Sequence, residues 1–385
     1  MDFSESCLDT VFYNGKVVTV NDTNDITEAV GIKGNRIVYV GTNQGIQQWI
    51  GAKTKVIDLA GRSLLPGFND SHFHPILNGV KDNTLDAAQI DTGKNFCKNK
   101  EELLQLISAA AKTKAPGEWI SMSGYEDLWD TERPTIEELA AAAGDHPLHC
   151  MHGGGHVCLY NHKALEYLGV FAPDDANKYP EHEIEIQAGK LTGLLRGNTH
   201  VLLMSHIDYT EEQQTRAALK SQELCLQKGI TSIGDMGEYG RTSYHVMQKL
   251  CQERKFKIRS CMAIHNVFGK APSLKENKAY WEDLGFLTGL GDEHFRIGPC
   301  KIMIDGGSTA PSCATREPYS HDATCLPERA WERDEVANYI QRIQDADCQA
   351  TAHAIGDLAV EFMVEAYERC ALKKTRKRPE SLGTA

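Results

Sequence analysis

Five short apolar runs, each separated from the next by a stretch of helical periodicity, set the narrowest limit on what this 385-residue chain can fold into. They lie at Leu65–Ser71, Ile230–Met236, Lys257–Ile264, Pro299–Asp305 and Ala350–Ile355. Several are apolar on successive residues, the pattern of parallel strands covered by helices on their faces. Thr210 with Gln213 makes a capping box for a helix that ends at Lys228-Gly229. Further helices are predicted over Asp334–Asp345 and from Asp357 to about Lys373. Repeated β-then-α units predict an α/β fold of (β/α)₈ barrel type. The segment from about 79 to 205 is too long for a plain loop and predicts an inserted subdomain with strands at Trp119–Ser123 and Leu148–Met151.

Ahead of the first run, residues 1–63 read as a β-rich module, leaving 64–385 for the barrel. Asn14-Gly15 and Gly34-Asn35, each between β-branched runs, predict hairpin turns there. The formal charge of −12 disfavours nucleic acid and anionic membranes as partners. No run is long enough to span a bilayer, and Met1 to Asp9 lacks the apolar core of a secretory leader, so a cytoplasmic protein is expected. The twelve cysteines form no CxxC pair, which disfavours a zinc ribbon or a redox dithiol.

Chemistry concentrates at the ends of the apolar runs. His72 and His74 are two residues apart at the end of the first, so both imidazoles face one side and can share an ion. Barrel active sites form at such C-terminal strand ends. Lys301 begins the stretch Lys-Ile-Met-Ile-Asp within the fourth run, and on the residues alone it reads as a surface lysine at a strand start. His353 ends the fifth, and alone it reads as a hydrogen-bonded core histidine. His149, His152 and His156 surround Gly153-Gly154-Gly155 as a candidate second cluster. That glycine run lacks the Gly-Lys-Ser/Thr ending of a phosphate loop. Asp357 suits the N-terminal end of its helix, where carboxylates favour the dipole.

The stretch Leu64-Leu65-Pro66-Gly67-Phe68-Asn69-Asp70-Ser71-His72-Phe73-His74 resembles the first-strand motif of the amidohydrolase superfamily, in the branch grouped with N-substituted formamide deformylase. The resemblance continues in order through Trp119–Thr135, Gly155-His156, Asn161–Leu165, Gly229–Asp235, Lys301–Gly306 and His353–Asp357. It implies that His72, His74, Lys301 and His353 bind one or two divalent ions, Zn²⁺ first among them, with Lys301 carboxylated as a bridge. It also implies that His156 and Tyr125 contact substrate. Asp235 and Asp305 match positions to which only turn or supporting roles can be given.

The resemblance calls for a further His on a sixth strand and for a metal-binding, proton-transferring Asp on an eighth. The basic segment Lys373 to Arg378 and the residues after it carry neither, so the barrel is expected to be incomplete and the catalytic Asp to lie beyond residue 385. The implied function is hydrolysis of a non-peptide carbon–nitrogen bond in a small molecule, an amide, formamide or cyclic amide, by metal-activated water. A truncated, inactive remnant that binds metal or a partner is the alternative, and a homo-oligomer or a complementing C-terminal chain remains open.

Overall fold

The computed structural model describes residues 7–80, 90–91, 99–123, 133–152, 155–179, 183–204, 206–207, 209–237, 241–265, 285, 287–308, 313–320, 323 and 331–377. The chain divides into two compact units, Met1–Phe68 and Asn69–Ala385.

The first unit holds β1 (Thr10–Tyr13), β2 (Lys16–Val18), β3 (Ile26–Thr27), β4 (Ala29–Lys33), β5 (Arg36–Gly41), β6 (Lys55–Asp58) and β7 (Ser63–Leu64). They form a four-stranded sheet, β5-β4-β1-β6, and a three-stranded one, β3-β2-β7. Gly34-Asn35 closes the β4–β5 hairpin, with Lys33 opposite Arg36 and Gly34 at φ 58°. Asn14-Gly15 does not make the expected hairpin. Asn14 adopts φ 55° and donates through Nδ2 to Asp58 Oδ1 at 2.9 Å. The turn thereby becomes a corner that sends β2 into a different sheet from β1, because β1 is already flanked by β4 and β6.

In the second unit, β8 (Phe68–Phe73) is followed by β9 (Ile90–Asp91), β10 (Ile120–Ser123), β11 (Leu148–Met151), β12 (Val157–Tyr160), β13 (Ile184–Gln187) and β14 (Lys190–Arg196). The last six form one mixed sheet in the order β13-β14-β12-β11-β10-β9. Then come β15 (Ile230–Asp235), β16 (Arg259–His265), β17 (Phe295–Met303) and β18 (Ala350–His353), which with β8 make a sheet ordered β18-β17-β16-β15-β8. Register is parallel from β15 through β18, and this sheet curls into a half barrel.

Helices cover the parallel strands because each presents an apolar stripe. The helix Glu211–Gln227 starts at the expected capping box of Thr210 and Gln213. It packs against Pro75–Val80 so closely that a Cβ at Gly79 would stand 2.0 Å from the Ala217 carbonyl oxygen. Arg333–Asp345 and Asp357–Lys377 pack together; Ile302, Ile340 and Phe362 belong to one core cluster beneath them. Trp331 closes that core, its indole N–H donating to the Met303 carbonyl at 2.8 Å. Burial of these side chains, worth roughly 1.5–3 kcal/mol each, fixes where β17 and β18 end.

Candidate metal centre at the strand ends

His72 lies near the end of β8 and His74 just beyond it, their ring centroids 5.3 Å apart. The alternation of a strand brings both to one side, as the two-residue spacing requires. His74 Nδ1 lies 2.5 Å from the Gly237 carbonyl oxygen. A carbonyl only accepts, so this nitrogen carries the proton and Nε2 keeps a lone pair. Gly234, on β15, makes the approach of that strand feasible: a Cβ there would sit 2.5 Å from the Ser71 carbonyl oxygen.

His353 ends β18 and is oriented in the opposite sense. Its Nε2 donates to the Gly306 carbonyl at 3.0 Å, which leaves Nδ1 as the lone-pair nitrogen. Lys301, only 6% exposed, stands on β17 and is felt electrostatically by both His72 and His353. Burial lowers its ammonium to about 8, with the Asp235 carboxyl opposing the change. His156 packs its ring 4.6 Å from that of His353. Burial first, and then His353, His200 and Lys301, hold His156 down at about 3. The loop after β17 presses against this ring, and a Cβ at Gly307 would come within 2.5 Å of it. Burial, Lys301 and His353 also lower His72, so the centre collects neutral imidazoles.

Two carboxylates lie beside these groups. Asp235, at the end of β15, is completely buried; its Oδ1 accepts from the Gly237 N–H at 3.1 Å, and Oδ2 takes no hydrogen bond among the described residues. Burial pushes it well above the ordinary carboxylate range. Asp305 behaves differently. Its oxygens accept from the backbone N–H groups of Ala314, Ile355 and Gly356 at 2.7–3.3 Å, and it approaches His353 Nε2 at 4.0 Å. It ties the loops after β17 and β18 together and so steadies His353. Asp357 occupies the first turn of its helix and pairs with Arg316, consistent with a helix-end acid.

The structure therefore brings His72, Lys301, His353 and His156 within electrostatic or ring contact, with His74 beside His72. Tyr125 lies outside the described residues. The three histidines around the glycine run divide: His156 joins His353, His149 turns toward Cys158 and His200, and His152 is buried just after β11, its backbone N–H donating to the Val157 carbonyl. Asp235 is the group whose importance the residue pattern did not reveal. Only its position at a strand end, shared with His72 and His353, signals it.

Residues 55–384 match the amidohydrolase family. The protein LONG AFTER FAR-RED 3 of Arabidopsis thaliana is 24% identical over 94% of the chain and 61% of its own length. N-substituted formamide deformylase of Arthrobacter pascens is 23% identical over 94% of the chain and 66% of its own length. The chain thus spans less than two thirds of either relative. An uncharacterized metal-dependent hydrolase from Pyrococcus furiosus shares the fold, with TM-score 0.66 and 23% identity, covering 94% of this chain and 70% of that one.

Proposed function

Because the chain belongs to the amidohydrolase family, we propose that it hydrolyses a carbon–nitrogen bond other than a peptide bond, an amide, formamide or cyclic amide, in a small molecule. The observation that carries this reading is the gathering of His72, His74, Lys301 and His353 where β8, β17 and β18 meet the barrel mouth. This is the rim where such folds assemble their active sites.

The donor set fits a divalent ion. Backbone carbonyls fix the tautomers of His74 and His353 so that each offers one lone pair, and Asp235 Oδ2 is a buried oxygen with no hydrogen bond among the described residues. Zn²⁺ suits a histidine-rich centre, and one or two ions would be held by His72, His74, His353 and Lys301. When bound there, the ion supplies a Lewis acid that acidifies water toward a pKa of ~7 and polarises the scissile carbonyl.

The chain's own residues do the rest. Lys301 is buried, and at pH 7.5 an amine at about 8 is neutral roughly two hundredfold more often than one at the ordinary value. Its Nζ adds to the carbon of carbon dioxide and loses one proton, leaving an anionic carbamate. His156, neutral and packed on His353, orients the substrate's polar end, and Tyr125 is assigned to the same pocket. On this proposal the chain consists of a β-rich module over 1–63 and a (β/α)₈-type barrel portion over 64–385 with 79–205 inserted, and the proton-transferring Asp comes from beyond β18.

The test combines metal analysis, hydrolysis of a panel of N-formyl, N-acyl and cyclic amides, and carbon NMR after equilibration with labelled bicarbonate. Zinc-dependent turnover at least about a hundredfold below that of a complete relative, and a carbamate resonance that Lys301→Ala removes, are expected. A chain that retains no metal and shows no carbamate signal would overturn the reading. Metal retained without turnover would move the assignment to a binding remnant of such an enzyme.

A further inference from the structure

The inserted sheet places three more ligand-type side chains together, away from the strand-end centre. His149 stands on β11, Cys158 on β12 and His200 on the helix Gly197–Met204. They are 1%, 0% and 0% exposed. Strand register explains the first two. His149 is directly opposite Tyr160 on the antiparallel neighbour, so Cys158 is its diagonal neighbour on the same face. Ser121 is opposite His149 on the other side.

Cys158 Sγ lies 3.3 Å from His149 Nε2 and 3.7 Å from His200 Nε2, and one ligand atom from each residue falls within 4.8 Å of the others. Zinc–nitrogen and zinc–sulfur bonds of ordinary length set the sulfur–nitrogen edge of a tetrahedron at about 3.5 Å. The far nitrogens are already engaged. His149 Nδ1 is 2.9 Å from Ser121 Oγ, itself approached by the Tyr209 hydroxyl at 3.4 Å, and His200 Nδ1 is 2.8 Å from the Tyr160 hydroxyl. That outer set of oxygens is the arrangement that orients metal-binding imidazoles.

We propose that His149, Cys158 and His200 form a second, structural transition-metal site of the Zn²⁺ class inside the inserted sheet, distinct from the strand-end centre. The Gly155 carbonyl oxygen, 3.1 Å from His200 Nε2, supplies a fourth donor. Binding moves the His200 proton from Nε2 to Nδ1, and the Tyr160 hydroxyl turns to donate to the His200 carbonyl 3.3 Å away. The Cys158 S–H proton is released, so each ion displaces one proton and no electron is transferred. The ion would tie β11, β12 and the helix that follows β14 into one block. Because all three side chains are sealed from solvent, it enters as the sheet folds or opens, and a substrate cannot reach it.

Cobalt(II) tests this on the full chain, prepared under reducing conditions. The double variant His72→Asn/His74→Asn disables the strand-end centre, so the second site is read whether or not that centre binds metal. The double variant is expected to retain one Co²⁺ with a thiolate-to-cobalt charge-transfer band in the near ultraviolet. Adding Cys158→Ser should abolish the band. Ser121→Ala, which removes only a small hydroxyl and keeps all three ligands, should keep the band but weaken cobalt affinity roughly 10–100-fold, and it serves if Cys158→Ser does not fold. Absence of the band from the double variant, its survival in Cys158→Ser, or unchanged affinity in Ser121→Ala would each overturn the proposal.

Discussion

The strand-end centre and the histidine–cysteine trio use similar side chains to opposite ends. In the first, each group arrives at the end of its own strand in a sheet ordered β18-β17-β16-β15-β8, and His72 remains exposed. In the second, the groups come from the middle of a mixed sheet and an adjoining helix, with nothing open to solvent. Strand ends leave room for a substrate beside the ligands, whereas a sheet interior leaves room for an ion at most. An open site suits chemistry and a closed one suits structure, a division familiar from zinc proteins.

The sharpest break between the two is Lys301→Ala. Removing the proposed bridge should lower turnover on a responsive amide by on the order of a thousandfold, since a lost Lewis acid is worth several kcal/mol. Zinc content at the strand ends should fall with it, while the cobalt–thiolate band of the trio stays; loss of both signals together would show that the sites are not separate.

Acid provides the next test. Burial lowers His200 to about 4, against 6.5 for an ordinary histidine, with the bond to the Gly155 carbonyl opposing the change. A folded value below the unfolded one means that the unfolded chain binds more protons between those limits. Stability is therefore fully present above pH 6.5 and is lost as pH falls toward 4, by up to about 3 kcal/mol from this residue. Urea midpoints of the metal-free chain should show that slope, and His200→Gln should flatten it. The same logic extends the window to about 3 for His156. If His200→Gln leaves the slope unchanged, burial does not hold that imidazole neutral.

Tyr160→Phe should cost about 1–2 kcal/mol in urea unfolding, because His200 Nδ1 then lacks its hydroxyl neighbour. At the strand ends, Gly307→Ala sets a methyl group 2.5 Å from the His156 ring and should raise KM severalfold while costing about 1–3 kcal/mol of stability. A fall in kcat alone would move His156 from holding substrate to assisting the reaction.

The two regions also differ in how legible they are in the sequence. His72 and His74 announce themselves because a strand's alternation acts over two residues, and apolar runs mark where β15 to β18 end. Thr210 and Gln213 mark a helix start for an equally local reason. His149, Cys158 and His200 share no short spacing. Antiparallel register unites the first two, and the helix after β14 delivers the third. Asn14-Gly15 misleads because a turn's own preferences do not decide which sheet the next strand joins. Asp305 looks like a loop acid by itself, and its clamp on three backbone N–H groups exists only after two loops have met.

The stretch Gly155-His156-Val157-Cys158 touches both regions: its first carbonyl meets His200, its second residue meets His353, and its last meets His149. Side chains along a strand face alternate sides, so one added or deleted residue would turn every later side chain of the strand to the opposite face. Drift at these four positions is thereby constrained twice over. A descendant can exchange side chains there one at a time, but it cannot change the length of the stretch without rebuilding two centres at once.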